Sequence, residues 1–444
     1  MQAAAPVSAI GHVTAVSGLG VAINGLGPLV GLGDRLALQS RDAASIPAEI
    51  VGFRVGTAQA MTLGALTGIG PGTRAVFPID AGRNNFAPSD AWLGRVINPL
   101  GQPLDNRGPL PPGTPRPVRA PPPPAASRNR LGPRMSLGVR SLDLFTTCRA
   151  GQRLGLFAGS GVGKSTLLAM LAHQAECDVV VLALVGERGR EVREFIEDDL
   201  GPAMHRSVVV VATSDQPPLL RREAAYAAMT VAEHFRDQGK SVLILMDSVT
   251  RFCLALREIG LASGEPPATR GYPPSMFAEL PCLLERAGPG PGIGPGIGPG
   301  IGPGTITGLF TVLVEGDDHN EPIADAVRGI LDGHAVLDRR IAETGRYPAI
   351  DILRSLSRTV PGCLEPAEAA LVRDARAILA VQAELSDLVR LGAYQPGADP
   401  AADRALRLAP RIESLLRQDK PDRSTLADAF TALGILIEAE PNAA

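Results

Sequence analysis

A short glycine-rich stretch has the residue types that bind a polyphosphate. It joins the apolar segment RLGLFA to the helical pattern STLLAM and includes the last residue of the first and the first two residues of the second. Its residues are Ala158, Gly159, Ser160, Gly161, Val162, Gly163, Lys164, Ser165 and Thr166. Glycines let backbone N–H groups curve around phosphate oxygens, and the N-terminus of the following helix adds positive charge. Lys164 can reach the β- and γ-phosphates, and the Ser165 hydroxyl can ligate Mg²⁺. A nucleotide site is predicted, the alternative being a plain glycine-rich turn.

Two acidic residues follow other apolar segments and add catalytic chemistry. Asp247 ends the run SVLILMD, and we expect it to hold a magnesium-bound water; the alternative is a helix cap. Glu187 follows VVVLALVG, at the strand end where open α/β sheets bind ligands. It is predicted to polarise the water that attacks the γ-phosphorus, with Arg188 contacting that phosphate. The alternative is a solvated turn within a run of mixed charge.

The elements that must position these residues alternate between strand-like and helical segments from residue 136 to 360. The apolar runs are rich in Val, Ile and Leu, as in strands buried on both faces of a parallel sheet. Helical patterns such as STLLAMLAHQAE separate them. This alternation predicts an α/β domain with helices on both faces of the sheet.

The flanking regions have different patterns. Residues 1–103 contain short β-like segments separated by glycine turns, which predict an N-terminal β-barrel or a small sandwich. Residues 104–135 are proline-rich and read as an extended linker. Residues 361–444 contain long helical patterns, so a C-terminal helical domain is expected.

The composition excludes several classes of protein. The chain has 444 residues, 45% of them hydrophobic and 20% charged, and a formal net charge of −3, so it has no basic excess for nucleic acid. Its 5 cysteines lack CxxC spacing, which argues against a metal or disulfide framework. No signal-peptide pattern and no uncharged apolar run near the ~20 residues of a membrane span is present. A cytoplasmic protein is predicted.

Longer motifs carry a resemblance to a known family. AGSGVGKST, GERGREVREFIEDDLG, MDSVTRFCLALREIG and PAIDILRSLS resemble the rotary-ATPase α/β superfamily. GERGREVREFIE and REIGLASGEPP are similar to its type III secretion branch, and the chain as a whole to the flagellar type III protein-export ATPases. The resemblance implies a RecA-like P-loop ATPase core with ATP and Mg²⁺ as cofactors. It covers roughly residues 90 to 420.

The resemblance also assigns roles to individual residues. Glu187 would activate water, and Arg188 and Arg251 would contact the γ-phosphate. Tyr347 resembles the aromatic residue that stacks on adenine, the alternative being a core tyrosine. Arg358 resembles the arginine finger that one subunit inserts into its neighbour's site; the alternative is an ion pair at a domain boundary. A finger acting in trans implies a closed ring, expected to be a homohexamer.

The implied activity is ATP hydrolysis that energises type III export of flagellar proteins from the cytoplasmic face of the inner membrane. The implied partners are an export gate, a central stalk-like coiled-coil protein, substrate–chaperone complexes and a stator-like negative regulator. Because β-like HVTAV begins within about a dozen residues of Met1, the helical extension that binds the regulator in relatives is expected to be short or absent.

Two other functions stay open from the sequence. A virulence (injectisome) secretion ATPase shares nearly all these motifs. A hexameric nucleic-acid translocase would need basic, aromatic-studded barrel strands. Residues 1–103 offer only Phe53, Phe77, Phe86 and Trp92 as aromatics. No nucleic-acid partner is therefore expected.

The run GPGPGIGPGIGPGIGPG occupies residues 288–304. Its glycines recur at every second position, which excludes collagen, and its period of four is too short for a solenoid. Because it leaves a helix and enters a strand, we expect a surface loop at the sheet edge opposite the nucleotide, towards the barrel. A long flexible loop there costs little free energy, so it is predicted to be dispensable for hydrolysis. The alternative is a contact with an export component.

Overall fold

The computed structural model describes residues 8–42, 44–79, 86–291, 304–314 and 321–438. The strands are β1 (Ser8–Ser17), β2 (Gly20–Asn24), β3 (Arg35–Gln39), β4 (Ser45–Arg54), β5 (Thr57–Thr62), β6 (Arg74–Pro78), β7 (Arg95–Ile97), β8 (Arg134–Met135), β9 (Cys148–Arg149), β10 (Arg153–Ala158), β11 (Val179–Glu187), β12 (Ser207–Thr213), β13 (Ser241–Asp247), β14 (Gly288–Pro289), β15 (Thr305–Leu313), β16 (Gly333–Leu337) and β17 (Ile350–Ser357). The α-helices are α1 (Arg140–Phe145), α2 (Lys164–Gln174), α3 (Gly189–Glu194), α4 (Pro218–Arg236), α5 (Val249–Ala262), α6 (Pro274–Leu284), α7 (Pro322–Ile330), α8 (Arg339–Glu343), α9 (Pro366–Arg390), α10 (Pro400–Leu416) and α11 (Leu426–Glu438).

Six antiparallel strands near the N-terminus close into a barrel. Their order is β1-β2-β5-β4-β3-β6. Alternate residues of the strands point inward, and Val13, Ile23, Leu38 and Ile50 form part of its buried core. The predicted barrel is confirmed, although its last strand ends at Pro78. Strand β7, which lies within the predicted range 1–103, instead pairs with β12 of the central sheet.

The central sheet brings the ends of the apolar segments to one edge. Its order is β17-β16-β10-β15-β13-β11-β12-β7, and neighbours pair in parallel except at β16–β17. Strand β11 is an example of a strand covered on both faces: its first eight residues are buried, as expected with helices on both sides of the sheet. Ala158 lies opposite Leu313, and Asp247 lies opposite Leu184. The phosphate loop and both acidic strand ends therefore share the carboxyl edge, and the predicted α/β core is confirmed.

The C-terminal region is helical, as predicted. Helices α9, α10 and α11 pack on α1 and β17, and their apolar faces continue the core on one side of the central sheet. Glu365 and Glu368 form a capping box at the start of α9, which satisfies two backbone N–H groups. In the described ranges no helix is both long and apolar enough to cross a lipid bilayer.

A buried ionic network joins the barrel to the central domain. Arg222 Nη2 of α4 donates to both carboxylate oxygens of Glu49 in β4, at 2.8 and 2.9 Å. Arg119 of the linker bridges Glu49 and Glu223, and Arg35 of the barrel pairs with Glu223 at 2.7 Å. Both Glu49 and Glu223 are buried, with 2% and 1% of their surface exposed. The linker and α4 therefore fix the barrel through a network whose two carboxyl groups and Arg222 are buried, while Arg35 and Arg119 are partly exposed.

The ends of the glycine–proline run meet at the amino edge of the sheet. Strand β14 pairs with the start of β15, and the Gly290 N–H donates to the Gly304 carbonyl at 2.9 Å. A Cβ on Gly304 would lie 2.1 Å from the Arg236 carbonyl oxygen, so this position requires glycine. The placement opposite the phosphate loop is thus confirmed for the base of the run. Residues 292–303, and with them the expected direction towards the barrel, lie outside the described residues.

Candidate functional site

The phosphate loop has the predicted strand–loop–helix form. Strand β10 ends at Ala158 and helix α2 begins at Lys164. Between them Gly161 and Gly163 adopt φ values of +77° and +88°, which residues with a Cβ adopt only with strain. These glycines turn the backbone so that the first N–H groups of α2 open towards the carboxyl edge. The backbone can therefore cradle phosphate oxygens there.

The Lys164 ammonium group lies between two carboxylates. Its Nζ is 2.6 Å from Asp247 Oδ1 and 3.4 Å from Glu187 Oε1. Burial opposes the charged form, but the two carboxylates outweigh it and hold the Lys164 pKa above its ordinary value. The lysine therefore stays positively charged in a largely dehydrated position, where it can neutralise phosphate charge.

Asp247 has a second anchor that sequence patterns did not reveal. Thr311 Oγ1 in the neighbouring strand β15 donates to Asp247 Oδ1 at 2.7 Å. Thr311 is fully buried within the apolar strand TITGLFTVL. Threonine is common in strands, so the sequence does not distinguish Thr311 from the other threonines of β15. Its role follows from its position beside Asp247 when β15 pairs with β13. The carboxylate is consequently held in one orientation.

Glu187 lies at the end of β11 with an unusually basic carboxylate. Burial and the negative charge of Asp247 raise its pKa above the ordinary value, while Lys164 and Arg251 oppose the rise. A carboxylate with a raised pKa accepts a proton more readily. Its location agrees with the predicted role in activating water.

A small cavity lies beside these groups. It has a volume of about 30 Å³, and Ser165, Glu187 and Asp247 contribute polar atoms to its wall. That volume is enough for a water molecule. Its hydroxyl and carboxylate oxygens are the donor types that Mg²⁺ prefers, so the residues present fit the ion. Within the described ranges no cluster of three or more His, Cys, Asp or Glu forms an all-protein metal site. Phosphate oxygens and water would have to complete the coordination.

Arg251 is close to the cluster. The Ser248 hydroxyl caps α5 by accepting a hydrogen bond from the Arg251 N–H at 3.2 Å. The Arg251 side chain crosses Gly186, where an added Cβ would come within 3.0 Å of it. Its Nε is buried without a hydrogen-bond partner. A buried N–H donor next to Gly186 and close enough to influence Glu187 is consistent with the predicted phosphate contact.

Arg188 is not brought into the cluster. Its side chain is 80% exposed and pairs with Glu191 at 3.0 Å, one turn along α3. Exposed pairs of this kind are weak, so the arginine can exchange Glu191 for a phosphate. The predicted phosphate contact of Arg188 therefore requires a rotation of the side chain and stays a prediction.

Tyr347 lies over the phosphate loop. A Cβ on Gly163 would be 3.1 Å from the Tyr347 ring, so the absence of a side chain at Gly163 permits the close approach. The tyrosine is 42% exposed, unlike a core residue, and the Gln418 N–H donates to its carbonyl at 2.9 Å. An exposed ring face next to the loop fits the predicted stacking on adenine.

Arg358 lies at the opposite edge of the sheet. It directly follows β17, whose Ser357 pairs with Gly333 at the start of β16. The end of β16 lies beside Ala158. The six-residue β10 is about 20 Å long, so the arginine cannot reach its own phosphate loop. Its side chain is exposed, and within the described parts of the chain no ion pair with an acid engages it, which disfavours the domain-boundary alternative.

Comparisons with known proteins agree with this architecture. Residues 138–357 match the model of the ATP synthase alpha/beta family, nucleotide-binding domain, and residues 364–434 match the T3SS EscN ATPase C-terminal domain. The flagellum-specific ATP synthase of Caulobacter vibrioides is 54% identical over 438 residues, covering 98% of this chain and 97% of the relative. That of Salmonella typhimurium is 42% identical over 96% of this chain and 93% of the relative.

Solved structures give the same result. The assembled ATPase EscN of the enteropathogenic E. coli type III secretion system superposes with a TM-score of 0.87 at 38% identity, covering 96% of this chain and 100% of EscN. EscN in complex with its central stalk EscO gives a TM-score of 0.84. The resemblance drawn from the motifs is confirmed. The chain is an ATPase that belongs to the flagellum-specific ATP synthases of the ATP synthase alpha/beta family.

Proposed function

We propose that this chain is one subunit of a homohexameric ring that hydrolyses ATP with Mg²⁺ and energises type III export of flagellar proteins. One observation supports the proposal of a ring. The water-activating Glu187 lies at the carboxyl edge of the sheet, and Arg358 lies at the amino edge. Each chain therefore holds one half of a site and offers the other half to a neighbour.

The residues divide the work of in-line phosphoryl transfer. Glu187 accepts the proton of the attacking water. Lys164 and Arg251 of the same chain, with Arg358 of the neighbour, donate to oxygens on which negative charge grows. Ser165 would ligate Mg²⁺ and Asp247 would hold one of its waters; the ion would supply charge neutralisation between the β- and γ-phosphates. Tyr347 would stack on the adenine.

The solved structures of a relative support the proposed oligomer and one of its partners. EscN has been solved as an assembled ATPase and in complex with a central stalk, so we propose a ring with a stalk-like protein in its centre. The family resemblance adds an export gate, substrate–chaperone complexes and a stator-like negative regulator, the last of which would need a contact other than the helical extension expected to be short or absent here. The ring would lie in the cytoplasm, peripherally at the inner membrane.

The flagellar system is favoured over a virulence system. Flagellum-specific relatives reach 54% identity over 98% of the chain, whereas solved type III secretion ATPases reach 38% over 96% and 44% over 79%. The injectisome ATPase stays the second candidate because its fold and motifs are shared.

Mixing two inactive variants tests the divided site. Glu187→Gln and Arg358→Ala subunits should each lose nearly all ATPase activity, because one lacks the base and the other the finger. Finger removal in comparable enzymes costs ~10³–10⁵-fold. In mixed rings, an interface that pairs an intact Glu187 with an intact Arg358 should recover activity. Mixed rings as inactive as their parents would refute a finger acting in trans.

A further inference from the structure

A buried glutamine lies directly behind Arg358. Gln152 precedes β10 and is fully buried. Its Nε2 donates to Ser357 Oγ at 2.9 Å, and its Oε1 accepts from Thr359 Oγ1 at 3.2 Å. The two partners are the chain neighbours of Arg358. One amide group therefore holds the backbone on both sides of the arginine.

Further hydrogen bonds make this support rigid. The Ser357 and Thr359 hydroxyl oxygens are 2.9 Å apart, and each lies 3.3 Å from the Thr147 carbonyl oxygen. Because the Thr359 proton is directed to Gln152, the single Ser357 proton is shared between Thr359 and Thr147. The Gln152 Oε1 also accepts from the Arg149 N–H at 2.9 Å. Donors and acceptors of the buried amide are thus occupied, which fixes its orientation.

Among the described residues, the hydrogen bond that holds Arg358 comes from its backbone. Its N–H donates to the Asp332 carbonyl at 2.9 Å. The Asp332 carboxylate is clamped by Arg153 Nε and Nη2, each at 3.2 Å. The Arg358 side chain is exposed. An exposed guanidinium on a fixed backbone is the arrangement expected of a group that acts in a neighbouring site.

We propose that Gln152 is a positioning residue for the trans arginine finger: through Ser357 and Thr359 it sets the position from which Arg358 enters the adjacent subunit's nucleotide site. The inference rests on the proposed function, because it requires that Arg358 acts in trans. Gln152 makes no contact with nucleotide in this scheme. Its loss should shift the finger and leave the chain's own phosphate loop, at the far end of β10, unchanged.

Gln152→Met tests the proposal because methionine has nearly the same length and no amide. A catalytic group displaced by ~1 Å loses about 10²-fold in rate. We therefore expect kcat for ATP to fall by about this factor, with KM nearly unchanged. Thr359→Val, at a half-buried position, removes one arm of the support and should lower kcat less. Ser207→Ala, which removes a buried hydroxyl bonded to the Ala203 carbonyl at 2.7 Å, is the matched control.

Mixed rings locate the defect. Gln152→Met subunits have an intact Glu187 and a displaced finger, so mixing them with Glu187→Gln subunits should restore wild-type turnover at about one interface in four for random closed rings. Mixing them with Arg358→Ala subunits should restore nothing. If Gln152→Met fails to fold, Thr359→Val takes its place in both mixtures.

Three results would overturn the proposal. The first is wild-type kcat in Gln152→Met. The second is that a mixture of Gln152→Met and Glu187→Gln subunits recovers no activity while a mixture of Arg358→Ala and Glu187→Gln subunits does. That result would contradict the role of Gln152 but leave the proposed ring intact. The third is recovery with Arg358→Ala, which would place the defect in the chain's own site. If the Arg358→Ala and Glu187→Gln pair itself fails, the proposed function and this inference fall together.

Discussion

At the scale of single residues, the chemistry depends on how one positive charge is shared between two carboxylates. Lys164 Nζ is closer to Asp247 than to Glu187, by 2.6 against 3.4 Å. Asp247 also accepts a hydrogen bond from the Thr311 hydroxyl, which fixes the orientation of its carboxylate. Glu187 is left with the weaker neutralisation and the raised pKa. This difference between the two carboxylates supports the proposed roles of Asp247 in holding a magnesium-bound water and of Glu187 in accepting a proton.

Glu187→Gln should abolish turnover without abolishing nucleotide binding. Loss of a general base lowers rates by about 10²–10⁴-fold. The amide keeps the side-chain volume, so affinity for a fluorescent ATP analogue should stay within about three-fold by the same reasoning. Steady-state ATPase assays and titrations measure both.

Glu194→Gln is the matched control in the same mixed-charge run. Within the described part of the chain, the ion pair of Glu194 is with exposed Arg190 at the surface. Its replacement should leave the rate unchanged. Equal loss in both variants would show that the run acts as a charged surface and that Glu187 is not the base.

Several site residues could be predicted from sequence because their signals are local. The phosphate loop is contiguous, and Asp247 and Glu187 each end an apolar strand. Thr311 and Gln152 could not be predicted, because their roles arise from hydrogen bonds between strands that are far apart in the chain. Arg188 shows another limit: sequence places it beside Glu187, but the exposed side chain turns to Glu191.

At the scale of elements, the junction of barrel and central domain depends on a buried acid. Burial raises the pKa of Glu49 to about 7; the charge of Glu223 adds to the rise, and Arg119 opposes it. The folded state therefore holds this proton more tightly than the unfolded chain does. The resulting stabilisation is complete below about pH 4.5 and is lost as pH rises towards about 7.

Glu49→Gln should change how stability depends on pH. Glutamine does not ionise, so the variant lacks the loss that the wild type undergoes between pH 5 and pH 8. Between pH 5 and pH 8 the unfolding free energy of the variant should therefore rise by about 1–3 kcal/mol relative to that of the wild type. Thermal unfolding at several pH values measures it. A constant difference between the two proteins would show that Glu49 does not titrate in this range.

The glycine–proline run gives a prediction for a loop. Gly290 and Gly304 are hydrogen-bonded neighbours at its base, so a short turn can join them. Replacing residues 292–303 by a two- to four-residue Gly-Ser turn should leave kcat and KM for ATP unchanged, since the base lies at the amino edge of the sheet. The measurement is an ATPase assay on the shortened chain. A several-fold loss would show that the run contributes to the ring's activity.

Elements with strong periodic patterns could be predicted, and short ones could not. The buried strands and the C-terminal helices each bury a continuous apolar face, which their residue pattern reveals. Strand β7 has only three residues and joins the central sheet from a segment that continues the barrel's pattern of turns. Its pairing with β12 depends on tertiary packing and has no local signal.

At the scale of the whole molecule, the sheet separates the two groups of residues that we propose meet in one catalytic site. Glu187 and the phosphate loop share the carboxyl edge, and Arg358, with Gln152 behind it, lies at the amino edge. A parallel sheet keeps these edges apart regardless of side-chain rotation. The proposed closed ring would bring the amino edge of one subunit against the carboxyl edge of the next.

The most direct test of the account is a count of external flagellar filaments after deletion of the gene in its own organism. Copies encoding the wild type, Glu187→Gln and Glu194→Gln would be reintroduced at matched protein levels. We predict that deletion removes the filaments, and that the wild type and Glu194→Gln restore them while Glu187→Gln does not. Normal filaments in the deletion strain, or full restoration by Glu187→Gln, would contradict the claim that hydrolysis at this site energises flagellar export.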